Sequence, residues 1–260
     1  MKKVLPVLAL SAGVIVLFGC SGKNPVSNNS TTGNYALVSS YEDASSQDIA
    51  TDVAAMSESF AFASKSAALS KKASDVTGTI QWQSWTYANG WWLRNGQVTV
   101  SSSDGTVDLQ GSDSVQFTDA NNAAVQYPLL ADVRGGAARH HAAMHVAATA
   151  GGYVDALRDW ALEGTITKAA DTTLTLSGSL SQSFKAQNAA KTASCDFQGA
   201  ATATDIVYSK QGDGWSKPVS GTVVLVSPYK TIDITFNSGT AHIVVTAKDG
   251  TVTKDVTITL

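Results

Sequence analysis

The sequence predicts a mainly β fold: an antiparallel up-and-down meander, curled, layered as a sandwich or barrel-like, with one N-terminal α-helix. Three observations carry that expectation. From Thr79 to Leu260 apolar residues recur with a period of two, the spacing of a strand with one buried face. Turn signals such as Asp104-Gly105, Gly151-Gly152, Asn237-Ser238-Gly239 and Asp249-Gly250 punctuate that pattern. The chain is rich in Gly, Ser, Thr, Ala and Val and holds only five prolines in 260 residues, which suits many strands joined by short turns.

The chain opens with Lys2 and Lys3, an apolar run from Val4 to Phe18, then Gly19 and Cys20. A positive start, a short apolar run and a small-residue end make an export signal, too short and wrongly flanked for a spanning helix. Leu17-Phe18-Gly19-Cys20 resembles the lipobox of bacterial lipoproteins, in which the cysteine becomes the first mature residue and carries acyl chains. The resemblance covers the signal, residues 1–19, and implies lipidation at Cys20 and membrane attachment through that anchor, at ~0.8 kcal/mol per buried methylene. Ser21 and Gly22 stand where an inner-membrane retention signal would show Asp, so the resemblance implies a cell-envelope protein sorted to the outer membrane. The alternative is an ordinary secretory peptide that leaves Cys20 a plain thiol.

Residues 20–40 are expected to form a flexible tether, because Ser21 to Asn34 is Ser, Asn, Thr and Gly with almost nothing apolar. A single β-rich domain, 41–260, follows. Its first element is a helix over 42–73, where Ile49, Val53, Met56, Phe60, Ala63 and Ala67 fall on one stripe. Ser45 with Asp48 supplies an N-cap, and Lys71 and Lys72 suit the negative end of the dipole. The stripe is expected to pack on the sheet.

Strands are then expected at 97–103 and 106–111, at 137–150 and 153–168, and at 172–184, 190–198 and 201–209. Gly221 to Ser227 and three consecutive strands from Thr231 to Leu260 complete about a dozen. The segment with Val154, Leu157 and Ala161 also fits a short helix, and as a strand its apolar face is interrupted by Arg158. Gly151-Gly152 and the β-rich neighbours favour a strand. One helix cannot cover a dozen strands, so most of the apolar face is expected to meet itself.

Charged residues are 15% of the chain, against about a quarter typically, and the formal net charge is −3. Nothing in that balance suggests nucleic acid as a partner. If Cys20 is acylated, Cys195 has no disulfide partner; within alternating Lys191 to Phe197 it reads as a small buried hydrophobe.

Arg139-His140-His141-Ala142-Ala143-Met144-His145 is the one histidine cluster. On a helix His141 and His145 would sit one turn apart and suit a metal. On a strand they share a face ~13 Å apart with His140 pointing the other way, which argues against one shared ion. They remain weak metal candidates beside the readings of surface histidines and a pH-responsive face. Trp82, Trp85, Trp91 and Trp92 read either as core plugs or as a ligand-contacting set, for sugar rings or an apolar pocket mouth. No Gly-x-Ser-x-Gly elbow and no phosphate-binding glycine loop occurs, so no cofactor or catalytic residue is expected. Asp155, Asp159 and Glu163 read as solvated charges on an exposed face. The expected function is that of a non-catalytic envelope protein with a structural, adhesive or binding role. The alternative is a carrier of a lipid or other apolar ligand inside a curled sheet.

Overall fold

The computed structural model describes residues 45–60, 81–103, 105–126, 133–168, 172–187, 194–212, 214–227 and 229–260. The expected export signal, Cys20, the expected tether and two parts of the expected helix, 42–44 and 61–73, lie outside the described residues. A helix, α1, spans 45–60.

Thirteen strands follow: β1 (Gln81–Trp82), β2 (Thr86–Ala88), β3 (Trp91–Ser102), β4 (Gly105–Thr118), β5 (Gly135–Ala148), β6 (Tyr153–Lys168), β7 (Thr172–Gln187), β8 (Ser194–Gln211), β9 (Gly214–Trp215), β10 (Ser220–Val226), β11 (Lys230–Asn237), β12 (Thr240–Ala247) and β13 (Val252–Thr259). They form one antiparallel sheet in chain order, with β2 beside β3 and β9 beside β8 as short additions. This is the up-and-down meander that the period of two and the turn signals predict. The doubtful segment is strand β6, paired residue by residue with β5 from Tyr153 to Thr165.

The sheet curls around α1. Phe60 lies 5.6 Å from Phe117 of β4, ring centre to ring centre. Arg158 of β6 reaches Asp48 and Asp52, the Tyr208 hydroxyl of β8 donates to the Val53 carbonyl at 2.8 Å, and Lys254 of β13 donates to Ser46 Oγ at 3.0 Å. From β4 to β13 is eight strand-to-strand steps, about 38 Å if flat. A helix about 10–12 Å across touches both ends of that span only if the sheet wraps it. Among the described residues no hydrogen bonds join β1 to β13, so the curl stays open. The helix stripe Ile49, Val53, Met56 and Phe60 is buried with inward residues of β3 to β12 in one cluster. A smaller cluster, Leu109, Met144, Val146, Val154, Phe184 and Ala186, occupies the other end of the long strands.

Two registers differ from the simple alternation. The stretch expected as two strands, 190–198 and 201–209, is the single strand β8, since Gly199 and Ala200 stay paired with Gln182 and Ser181 of β7. One extra residue sits in β8 near Asp205, which has φ 50° and whose N–H donates to Ser177 Oγ at 3.0 Å. The bulge shows in the pairing on both sides of β8 and reverses its parity: Ala201 and Ala203 face inward, then Ile206 and Tyr208. On β13 an extra residue places Val252 opposite outward Thr246, so Val252 is 54% exposed rather than aligned with Val256 and Ile258.

Candidate functional site

The period of two sorts the histidine cluster. Strand β5 turns Ala138, His140, Ala142, Met144 and Val146 inward and Arg139, His141 and His145 outward. His140 accordingly belongs to a different site from the other two.

On the inner face His140 Nδ1 lies 2.6 Å from Asp113 Oδ1 of β4, and His140 Nε2 lies 3.9 Å from Asp52 Oδ1 of α1. Asp113 also accepts from Arg94 Nε of β3 at 2.7 Å. Arg94 is held between the rings of Trp82 and Trp85, 4.4 and 4.7 Å from their centres. On the other side Arg158 Nε lies 3.1 Å from Asp52 Oδ2 and its Nη1 donates to Asp48 Oδ2 at 3.2 Å. Trp160 Nε1 adds a longer contact to Asp52 at 3.4 Å. A chain of alternating charge thus runs Arg94, Asp113, His140, Asp52, Arg158, Asp48. Its three carboxylates are balanced when His140 is protonated.

The electrostatics follow from that order. Burial works to lower the His140 pKa, but the Asp113 hydrogen bond and the charges of Asp52 and Asp113 outweigh it and raise it. Burial works to raise the Asp113 pKa, but His140 and Arg94 together hold it below the usual carboxylate range. Asp48 is pushed up, chiefly by burial with repulsion from Asp52 adding, against Arg158. Such a chain fixes α1 in the curl; it is a structural clamp, since its polar groups are spent on one another.

The outer face carries two adjacent cross-strand rows. One runs Ser114, Arg139, Ala161, Ser179 on β4 to β7; the next runs Ser112, His141, Asp159, Ser181, Ala200 on β4 to β8. These residues line a groove of about 530 Å³ whose floor is built from short Ser and Ala side chains. His141 Nδ1 pairs with Asp159 Oδ1 at 2.6 Å, and His145 Nδ1 with Asp155 Oδ1 at 2.5 Å. The Arg139 guanidinium lies 4.5 Å over the Trp91 ring. Among the described residues, the hydroxyls of Ser112, Ser114, Ser179 and Ser181 have no hydrogen-bond partner and no carboxylate pairs with Arg139.

The four tryptophans occupy three environments. Trp82 and Trp85 clasp Arg94 and Trp91 supports Arg139 beside the groove, while Trp92 is buried with its Nε1 donating to the Gln126 carbonyl at 2.9 Å. His141 and His145 share the outer face, each tied to its own aspartate. Among the described residues no group of three or more His, Cys, Asp or Glu is placed to hold a metal. Cys195 lies on β8 opposite Ala186. Sequence reasoning missed the inner chain and the serine rows. The signal for the first was present: Asp113 and Arg158 are charged residues at inward parity, between Leu109 and Val115 and between Val154 and Trp160.

No protein-family model, no curated protein and no solved structure matches the chain.

Proposed function

We propose that the protein is a non-catalytic envelope protein, held to the outer membrane by acyl chains on Cys20, whose outer groove binds carbohydrate. The observation that carries this reading is the contrast between the two sheet faces. The inner face is occupied by α1, whose apolar stripe is packed and whose charged side is clamped to β5 and β6. An apolar cargo would have to displace that helix, which disfavours the carrier alternative. The outer face presents four unengaged hydroxyls and a guanidinium along one groove, the kind of convergent polar set that orients a polyhydroxylated ligand.

Ser112, His141 and Asp159 follow one another across three strands, but this is a poor hydrolytic centre. The backbone N–H groups there are spent on the ladder, leaving no backbone donors for an oxyanion. The test is titration of the full-length chain in detergent against a panel of neutral and acidic glycans. Saturable binding that falls with the double substitution Ser179→Val and Ser181→Val is expected; binding of no glycan refutes the groove. For the anchor, Cys20→Ser is expected to move the protein from the envelope fraction to the soluble one, and retention in the envelope refutes it.

A further inference from the structure

Resting on the glycan reading of the groove, we propose that the site selects carboxylate-bearing glycans, with Arg139 as the residue that reads the acid group. The geometry that points there is the state of the cations on this sheet. Arg94 and Arg158 are each consumed by buried aspartates, and the outward imidazoles of His141 and His145 are each held by an aspartate on β6. Arg139 differs. It is exposed, it stands at the groove wall, and among the described residues no carboxylate meets it.

Its head is nevertheless placed. The Arg139 Cζ lies 4.5 Å over the Trp91 ring, a cation–π contact that leaves N–H donors for a ligand. A guanidinium presents a planar fork that matches a carboxylate with two parallel hydrogen bonds. Its cross-strand neighbours are Ser114 on one side and Ala161 on the other, both too short to fill the space over the fork. Ser179, one strand beyond Ala161, and Ser112 and Ser181 in the next row supply hydroxyls within the same groove for the remaining sugar positions. The groove's single carboxylate, Asp159, is engaged by His141 and so does not compete for Arg139. A neutral sugar satisfies the serines but leaves the fork unanswered. A uronate-type unit answers both.

The test compares four polymers of matched length against the full-length chain in detergent at low and moderate salt: polygalacturonate, its methyl ester, a neutral glucan and a sulfated dextran. Polygalacturonate is expected to bind about tenfold or more tighter than its ester, the usual scale for a charge-assisted pair. Arg139→Gln is expected to erase that difference by bringing the acid's affinity down to the ester's, and Arg139→Lys to restore only part of it, because an ammonium keeps the charge without the fork. Equal binding of acid and ester, or a preference that survives Arg139→Gln, overturns the inference and leaves the glycan reading in place. Sulfated dextran binding as tightly as polygalacturonate overturns it as well, since it marks plain charge attraction. Binding of none of the four overturns the parent reading with it.

Discussion

Arg158→Met is the sharpest probe of how α1 is held. Arg158 is 4% exposed and is the only cation within ion-pair distance of both Asp48 and Asp52 among the described residues. The substitution keeps the buried stem and removes the charge, leaving two carboxylates one helical turn apart without the cation they share. Removing one partner of a buried ion pair typically costs about 3–5 kcal/mol, because the other charge stays desolvated. Asp48 and Asp52 keep 23% and 11% of their side-chain surface, so the lower end, about 3 kcal/mol, is expected. Urea unfolding of the full chain at pH 7, followed by tryptophan fluorescence, reads this as a lower midpoint with unchanged slope. In a chain of this size it corresponds to a fall in Tm of roughly 6–12 °C. Adding Asp48→Asn removes one of the stranded charges, so the double variant is expected to be about 1–2 kcal/mol more stable than the two single effects summed. A loss below about 1 kcal/mol, or strict additivity, would falsify the clamp.

Three further outcomes follow from the same coordinates. The His140 pKa is raised from 6.5 and the Asp113 pKa lowered from 3.8. Protonated His140 stabilises fully below 6.5 and loses that contribution as pH rises through its higher folded value; ionised Asp113 stabilises above 3.8 and loses it as pH falls through its lower folded value. Urea midpoints are therefore expected to fall as pH drops below 3.8 or rises above 6.5, with the raised pKa of Asp48 adding a loss as pH rises from 3.8 through its own folded value, and with the alkaline fall absent in His140→Gln. Gly178→Ala is expected to cost about 1–3 kcal/mol by the same urea assay, because the new methyl would sit 2.0 Å from the Ala161 carbonyl oxygen across the β6–β7 pairing; tolerance of alanine there would contradict the observed register. Gln182 is 3% exposed, with neither end of its amide hydrogen-bonded among the described residues. Gln182→Met is expected to leave Tm unchanged or raise it, by up to about 1 kcal/mol of stability, and a clear loss would mean that the amide is needed.

Much of the fold is legible in the sequence, and the reason is physical. A meander pairs neighbours, so each turn signal and each run of alternating residues reports one contact that exists. Ile232, Ile234 and Phe236 alternate with polar residues and all three are buried. Bulges defeat the same reading, because one inserted residue reverses parity beyond it. Ala203 and Ile206 share a face through the left-handed turn of Asp205, and no local pattern announces that. The site is less legible than the fold. Period two places His141 with His145 and sets His140 apart, but the groove is a row across five strands, and its members are up to 88 residues apart between Ser112 and Ala200. Arg158 is instructive: as a blemish in an apolar face it reads as a reason to doubt the strand, whereas it is the inward group that a helix far back in the chain needs.

That separation along the chain has a consequence for the order of assembly. Ser46 meets Lys254 across 208 positions, Val53 meets Tyr208 across 155 and Asp48 meets Arg158 across 110. Hairpins close over a few residues and can zip one after another along the chain. The helix precedes all of them in the chain, yet its farthest anchor among the described residues is Lys254 of β13. The first element of the domain is thus the last to be fully seated, and its greasy stripe must be shielded from wrong partners until the final strand is in place.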